Sequence, residues 1–246
     1  MNSMNDSSNN NQARAIAWAG HEAQHANRMD GIGNPADSSP ALQNRVVRNT
    51  YALLAMTLLF SAGVAATAMA LKLPSPGIVI TLVGYFGLLY AVHKLQNSGW
   101  ALAAVFGLTG FMGYTLGPIL TRYSGMPNGG EVIGMALAAT GVTFLALSAY
   151  VLTTRKDFSF MGGFLFAGMV IALLAGIGAM VFNMPALGMA VSAMVALLSA
   201  GLILFETSRI VNGGETNYVM ATVGLFVSLF NLFTSLLSLF GIGSND

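Results

Sequence analysis

Residues 160–205 read FMGGFLFAGMVIALLAGIGAMVFNMPALGMAVSAMVALLSAGLILF, without one charged side chain or histidine. Asn183, Met184 and Pro185 divide this stretch into two apolar runs, 160–182 and 186–205. Each is close to the roughly 20 residues that a helix needs to cross a hydrocarbon core of about 30 Å. A membrane barrel would instead need strands of about 10 residues with alternating polarity, and residues 191–205 do not alternate. The stretch therefore predicts two membrane-spanning helices joined by a tight turn.

Working outward, the same signature recurs at residues 51–71, 76–92, 100–120, 132–152 and 218–242, which makes seven spans in all. The breaks between them carry turn residues or charges: Lys72 with Pro74, His93 to Ser98, Arg122 to Glu131, Thr153 to Ser159, and Glu206 to Asn217. The predicted fold class is an all-α integral membrane protein with seven transmembrane helices. Composition agrees, because 55% of the 246 residues are hydrophobic and 8% are charged. Soluble domains carry about 25% charged residues. A net charge of +1, spread thinly, leaves no footprint for nucleic acid. With no cysteine there is no disulfide scaffold, thiol nucleophile or thiolate metal site.

Residues 1–48 differ in kind. Residues 1–12 are mostly Asn and Ser, and residues 30–40 are rich in Gly, Asn, Pro, Asp and Ser. Such a segment buries too little apolar surface to offset its ordering entropy. It is expected to be a polar, largely disordered tail, distinct from a signal peptide because no apolar stretch follows a basic start. The spanning domain is expected over 49–243, with 244–246 as a short external terminus. Orientation follows from the basic residues near the spans: Arg45, Arg48, Lys94, Arg155, Lys156 and Arg209 fall on one side, Lys72 and Arg122 on the other. The tail is expected in the cytoplasm and Asp246 outside, as in a bacterial cytoplasmic-membrane protein.

Small residues recur at helix-packing intervals in Gly110, Gly113 and Gly117 and in Gly168, Ala172 and Gly176. In lipid, where leucine gains little by leaving acyl chains for another helix, such positions let backbones approach closely. Pro118, near the end of the third span, predicts a kink.

The inventory of chemistry is mostly one of exclusions. His21, Glu22, Ala23, Gln24 and His25 form a literal H-E-x-x-H, the zinc-protease pattern. It lies in the polar tail without a third ligand, so an accidental match is the expectation. The remaining histidine, His93, is assigned to a short loop; no aspartate falls within a span, and the lysines stand at span ends. A buried Ser-His dyad, an intramembrane aspartyl pair and a retinal Schiff base are thereby excluded. No catalytic residue, cofactor or metal ligand is expected.

Polar character inside the membrane gathers in the last two spans. Glu206 ends the sixth, and Glu215, Thr216 and Asn217 lead into the seventh. Asn217, Ala221, Gly224, Ser228, Asn231, Ser235 and Ser238 then follow at alternating steps of four and three, a small and polar stripe on one helix face. That stripe suits a helix at the centre of a bundle. It either supplies interhelical hydrogen bonds or lines a hydrated path for protons or cations, with Glu206, Ser228 and Asn231 as the candidate polar site.

Residues 204–241, LFETSRIVNGGETNYVMATVGLFVSLFNLFTSLLSLFG, resemble the closing signature of the Bax inhibitor-1 family of seven-span proteins. Residues 47–51 (VRNTY), 73–77 (LPSPG), 116–120 (LGPIL), 148–157 (SAYVLTTRKD) and 213–218 (GGETNY) are similar to its bacterial YccA-like branch. The resemblance implies a bundle whose last helix is surrounded by the other six. It also implies a non-enzymatic protein that modulates the FtsH-type AAA+ membrane protease as a competing, slowly degraded substrate, with that protease and the lipid bilayer as partners. The wider family includes calcium-leak proteins with acidic residues on the last two helices. Glu206 matches the first of those positions, but the second falls on Ser228, so passage of cations is the alternative implication.

Overall fold

The computed structural model describes residues 40–243, and every regular element among them is helical. Seven long helices follow in order: α1 (Pro40–Ala70), α2 (Ile78–Leu95), α3 (Ala101–Ser124), α4 (Gly129–Thr154), α5 (Gly162–Val181), α6 (Pro185–Val211) and α7 (Tyr218–Gly243). A single 3₁₀ turn, Ser159–Met161, leads into α5. All seven are long and apolar enough to cross a membrane. Residues 1–39, with the His21–His25 motif, and the terminal 244–246 lie outside the described residues.

Three helix boundaries differ from the hydropathy reading. α1 starts at Pro40, so residues 40–48, assigned above to the polar tail, form its first turns. Proline is favoured at a helix start, where its missing N–H would be unpaired in any case. α6 runs on to Val211, which places Glu206 more than a turn inside the helix rather than at its end. α2 runs to Leu95, so His93 belongs to its last turn and not to a loop. In each case the helix extends past its apolar core, because water and headgroups satisfy polar side chains beyond the hydrocarbon.

The turns are held by backbone chemistry. After α5, Asn183 takes a left-handed conformation (φ 50°); its N–H reaches Met180 O, and Met184 N–H reaches Ala179 O at 2.9 Å. Those two bonds satisfy the helix's terminal carbonyls. Pro185 then opens α6. Lys72 (φ 48°) closes α1 in the same way, with Leu73 N–H on Ala68 O at 2.9 Å.

Packing follows the small residues. A β-carbon on Gly113 would strike the carbonyl of Ser61, and one on Gly117 would crowd Ala68 and the Ala65 carbonyl, so α3 lies directly against α1. Gly168 makes room for Leu198 and Gly176 meets Val191, which seats α5 on α6. α3 continues through Pro118 to Ser124.

α7 packs on α3, α4 and α6, and Thr222 Oγ1 donates to Thr50 O of α1 at 3.3 Å. Half of its most apolar window is buried inside the protein, the largest share of any of the seven. Phe226, Leu225 and Ile203 are buried with Leu54, Val92 and Leu108 in one apolar core. Leu59, Val83, Val142, Phe164, Leu174 and Leu197 point outward from the bundle. In water such a surface would associate; facing acyl chains it is the appropriate boundary.

Candidate functional site

α6 and α7 are antiparallel neighbours, and their shared face carries the polar residues singled out in the sequence. The Glu206 carboxylate rests on the backbone of Gly224: a β-carbon there would stand 2.7 Å from Glu206 Cδ. The glycine in the α7 stripe lets the carboxylate lie directly over it, where a β-carbon would make the Glu206 side chain shift. Glu206 Oε2 is 3.6 Å from Arg209 Nη1, one turn along α6. Arg209 Nη2 donates to Glu215 Oε2 at 3.1 Å, and its guanidinium lies 5.5 Å from the centre of the Phe205 ring. The Glu206 side chain is only 15% exposed and that of Arg209 is 32% exposed. An enclosed carboxylate requires a partner of this kind, because desolvation of an unpaired charge is expensive.

Glu215 and Asn217 organise the start of α7. Glu215 N–H donates to Arg209 O at 3.0 Å, and Glu215 Oε1 accepts from Asn217 N–H at 2.9 Å. Asn217 Oδ1 accepts from Val219 N–H at 2.9 Å, the bond of an N-cap residue. Its Nδ2 donates to Asn97 Oδ1 at 3.1 Å and to Gln96 O at 3.3 Å, tying the α6–α7 loop to the α2–α3 loop. An open cavity of about 490 Å³ lies there, lined by Gln96, Asn97, Ser98, Gly99, Thr216 and Asn217 among others. The cavity is therefore beside the opening of α7 and does not reach Glu206.

The three predicted polar residues of the site are not brought together by hydrogen bonds. Ser228 Oγ donates to Gly224 O at 2.9 Å, within its own helix. Among the described residues, neither it nor Asn231 bonds Glu206. No group of three His, Cys, Asp or Glu side chains able to hold a metal occurs among them either.

A second junction at the same end of the bundle was missed in the sequence. Ser208 is fully buried; its Oγ accepts from Phe158 N–H at 2.9 Å and donates to Lys156 O at 3.2 Å. Asn212 Nδ2 adds a bond to Ser208 Oγ at 3.2 Å. Asp157 Oδ1 accepts from Ser159 N–H at 2.8 Å, and hydrogen bonding from Ser159 holds this carboxyl below its ordinary range. Ser208 anchors the α4–α5 turn on α6. Its only sequence signal is position, two residues after Glu206 on a helix that extends past its apolar run to Val211.

This seven-helix bundle with its acid on α6 and polar stripe on α7 belongs to a known class. Residues 43–245 match the model of the family described as inhibitor of apoptosis-promoting Bax1, and the chain is a member of that family. Among individual relatives, it is 52% identical over 222 residues to the modulator of FtsH protease YccA of Escherichia coli, covering 89% of this chain and all of that protein. It is also 52% identical over 201 residues to an uncharacterized protein of Pseudomonas aeruginosa, covering 82% and 90%. An uncharacterized membrane protein of Vibrio cholerae is 46% identical over 204 residues, covering 82% and 92%.

Proposed function

We propose that this protein modulates an FtsH-type membrane-anchored, ATP-dependent protease by occupying it as a competing substrate that is slow to unfold. The observation that carries this reading is the 52% identity along the whole length of the E. coli protein of that name. The structure supplies a physical basis for slow unfolding. Backbone contacts at Gly113 and Gly117, the Glu206–Arg209–Glu215 ion pairs and the Ser208 junction must all yield before a helix leaves the bundle. The role is non-catalytic: the chain acts by being held.

In this reading the protein lies in the bacterial inner membrane with the basic end of the bundle in the cytoplasm, as the distribution of its basic residues supports. His93 and Lys94, Arg155, Lys156 and Arg209 stand at that end, while Lys72 and Arg122 mark the opposite one. Residues 1–39 then begin on the side where an ATP-driven unfoldase works, and their polar sequence suits a handle for it. Cation leak finds less support, because Ser228 stands where a second carboxylate would be needed and its hydroxyl is bonded to Gly224 O.

Co-purification from solubilised membranes tests the reading. The protease is expected to accompany the full chain in near-stoichiometric amount and to be retained less by a chain lacking residues 2–39. Purified chain without the protease, together with cation flux into liposomes that Glu206→Gln abolishes, would replace it with the leak.

A further inference from the structure

Two contacts fix how α6 and α7 lie along each other. At one end the Glu206 carboxylate covers Gly224; at the other, the Ser192 and Ser238 hydroxyls share a hydrogen bond of 3.2 Å. The contacts are fourteen residues apart on both helices, so they define one antiparallel register. Fourteen residues are close to four helical turns, and positions seven apart stay on nearly the same face. The midpoint of the register therefore places Ser199 of α6 opposite Asn231 of α7, about 10 Å from either contact.

Ser199 is 0% exposed, and its Oγ makes no hydrogen bond to the protein. Two other seam hydroxyls behave differently: Ser192 Oγ donates to Gly188 O and Ser228 Oγ to Gly224 O, each folding back on its own helix. On the α7 side, Thr234 Oγ1 donates within its own helix, to Phe230 O at 2.9 Å with the Asn231 backbone carbonyl at 3.2 Å. The Asn231 side-chain amide has no protein partner among the described residues. A primary amide offers two donors and an acceptor. Leaving it and a hydroxyl unpaired at membrane depth is costly. Two such groups, set opposite each other by the register and without a direct bond, fit a ligand that is small, both donor and acceptor, and able to bridge them.

We propose that the α6–α7 seam contains a water-binding site at its midpoint, in which water bridges Ser199 Oγ and the Asn231 side-chain amide. The Ser192–Ser238 hydrogen bond closes the seam on one side and the Glu206–Gly224 contact on the other. Between the two protein contacts, the Ser199 hydroxyl and the Asn231 amide are then satisfied by water. This site is independent of any protease partner.

Water-edited solid-state NMR on the full chain in lipid bilayers, with ¹⁵N-labelled asparagine side chains, tests it. The Asn231 signal is assigned by its loss in Asn231→Leu. Rapid transfer of water polarisation to the Asn231 Nδ2 signal is expected, reduced several-fold in Ser199→Ala while the Asn217 signal is unchanged. Absence of transfer to Asn231 in the unaltered protein overturns the site. Transfer that Ser199→Ala leaves untouched overturns the bridge, and the unaltered Asn217 signal shows that the variant has folded.

Discussion

Arg209 holds Glu215 at 3.1 Å across the loop between α6 and α7, and the other oxygen of Glu215 accepts from the backbone of Asn217. An arginine already paired with the enclosed Glu206 thus also sets the N-cap residue of the last helix. Asn217 in turn grips Gln96 and Asn97, so the ordering of α7 reaches the α2–α3 loop. Asn217→Ala is expected to lose the cap bond to Val219 and both loop bonds, costing about 1–2 kcal/mol. Hydrogen exchange should quicken at residues 218–221 and at 96–98 together. Glu215→Gln keeps an acceptor for the Asn217 N–H but loses half of a partly exposed ion pair, worth about 1 kcal/mol or less.

Gly113 has no room for a side chain, because the Ser61 carbonyl lies where its β-carbon would be. Gly113→Ala must push α1 and α3 apart, an overpacking effect of about 1–3 kcal/mol. Gly141 has open space around it, so Gly141→Ala is expected to be neutral or slightly stabilising through helix propensity. Unfolding in detergent micelles, compared between the two variants, checks the contrast.

Tyr51 packs its ring against Phe144 at a centroid distance of 5.9 Å, while its hydroxyl is buried without a hydrogen bond to the protein. Removing a buried polar atom that lacks a partner relieves a desolvation cost and keeps the packing. Tyr51→Phe is therefore expected to leave the thermal midpoint unchanged or raise it. A loss of more than about 1 kcal/mol would show that the hydroxyl has a partner.

Asp157, in the turn between α4 and α5, titrates below its ordinary value of 3.8 because of hydrogen bonds from Ser159 and, more weakly, Ser208. A depressed folded-state value means that its contribution to the turn is fully present above about pH 4 and fades as pH falls through the depressed value. Carbon-13 titration of the Asp157 carboxyl should give a midpoint below that of an unstructured peptide. Ser159→Ala should raise it only part of the way, since the residue 159 backbone N–H still donates.

The spans were legible because hydrocarbon imposes a length and a composition that no soluble fold needs. The periodic stripe from Asn217 to Ser238 was legible for a similar reason, since steps of three and four mark one face of a helix. Hydropathy could not show where the helices end: α1 begins at Pro40 and α6 carries on past Glu206 to Val211, outside the zone that the membrane selects for apolarity. Pairings across the chain were also hidden. That Gly224 is small for the sake of Glu206, or that Ser208 serves Phe158 fifty residues earlier, depends on how helices are laid side by side. Neither residue type announces its partner locally.

The central claim is that a slowly unfolding bundle competes for a membrane protease, and reconstitution measures this directly. An FtsH-type protease in liposomes would be given a membrane substrate, with ATP, in the absence and presence of an equimolar amount of the full chain. Degradation of the substrate is predicted to slow several-fold, with the chain itself disappearing more slowly than the substrate does. Substrate turnover that is unchanged at equimolar and at tenfold higher amounts of the chain would contradict the account.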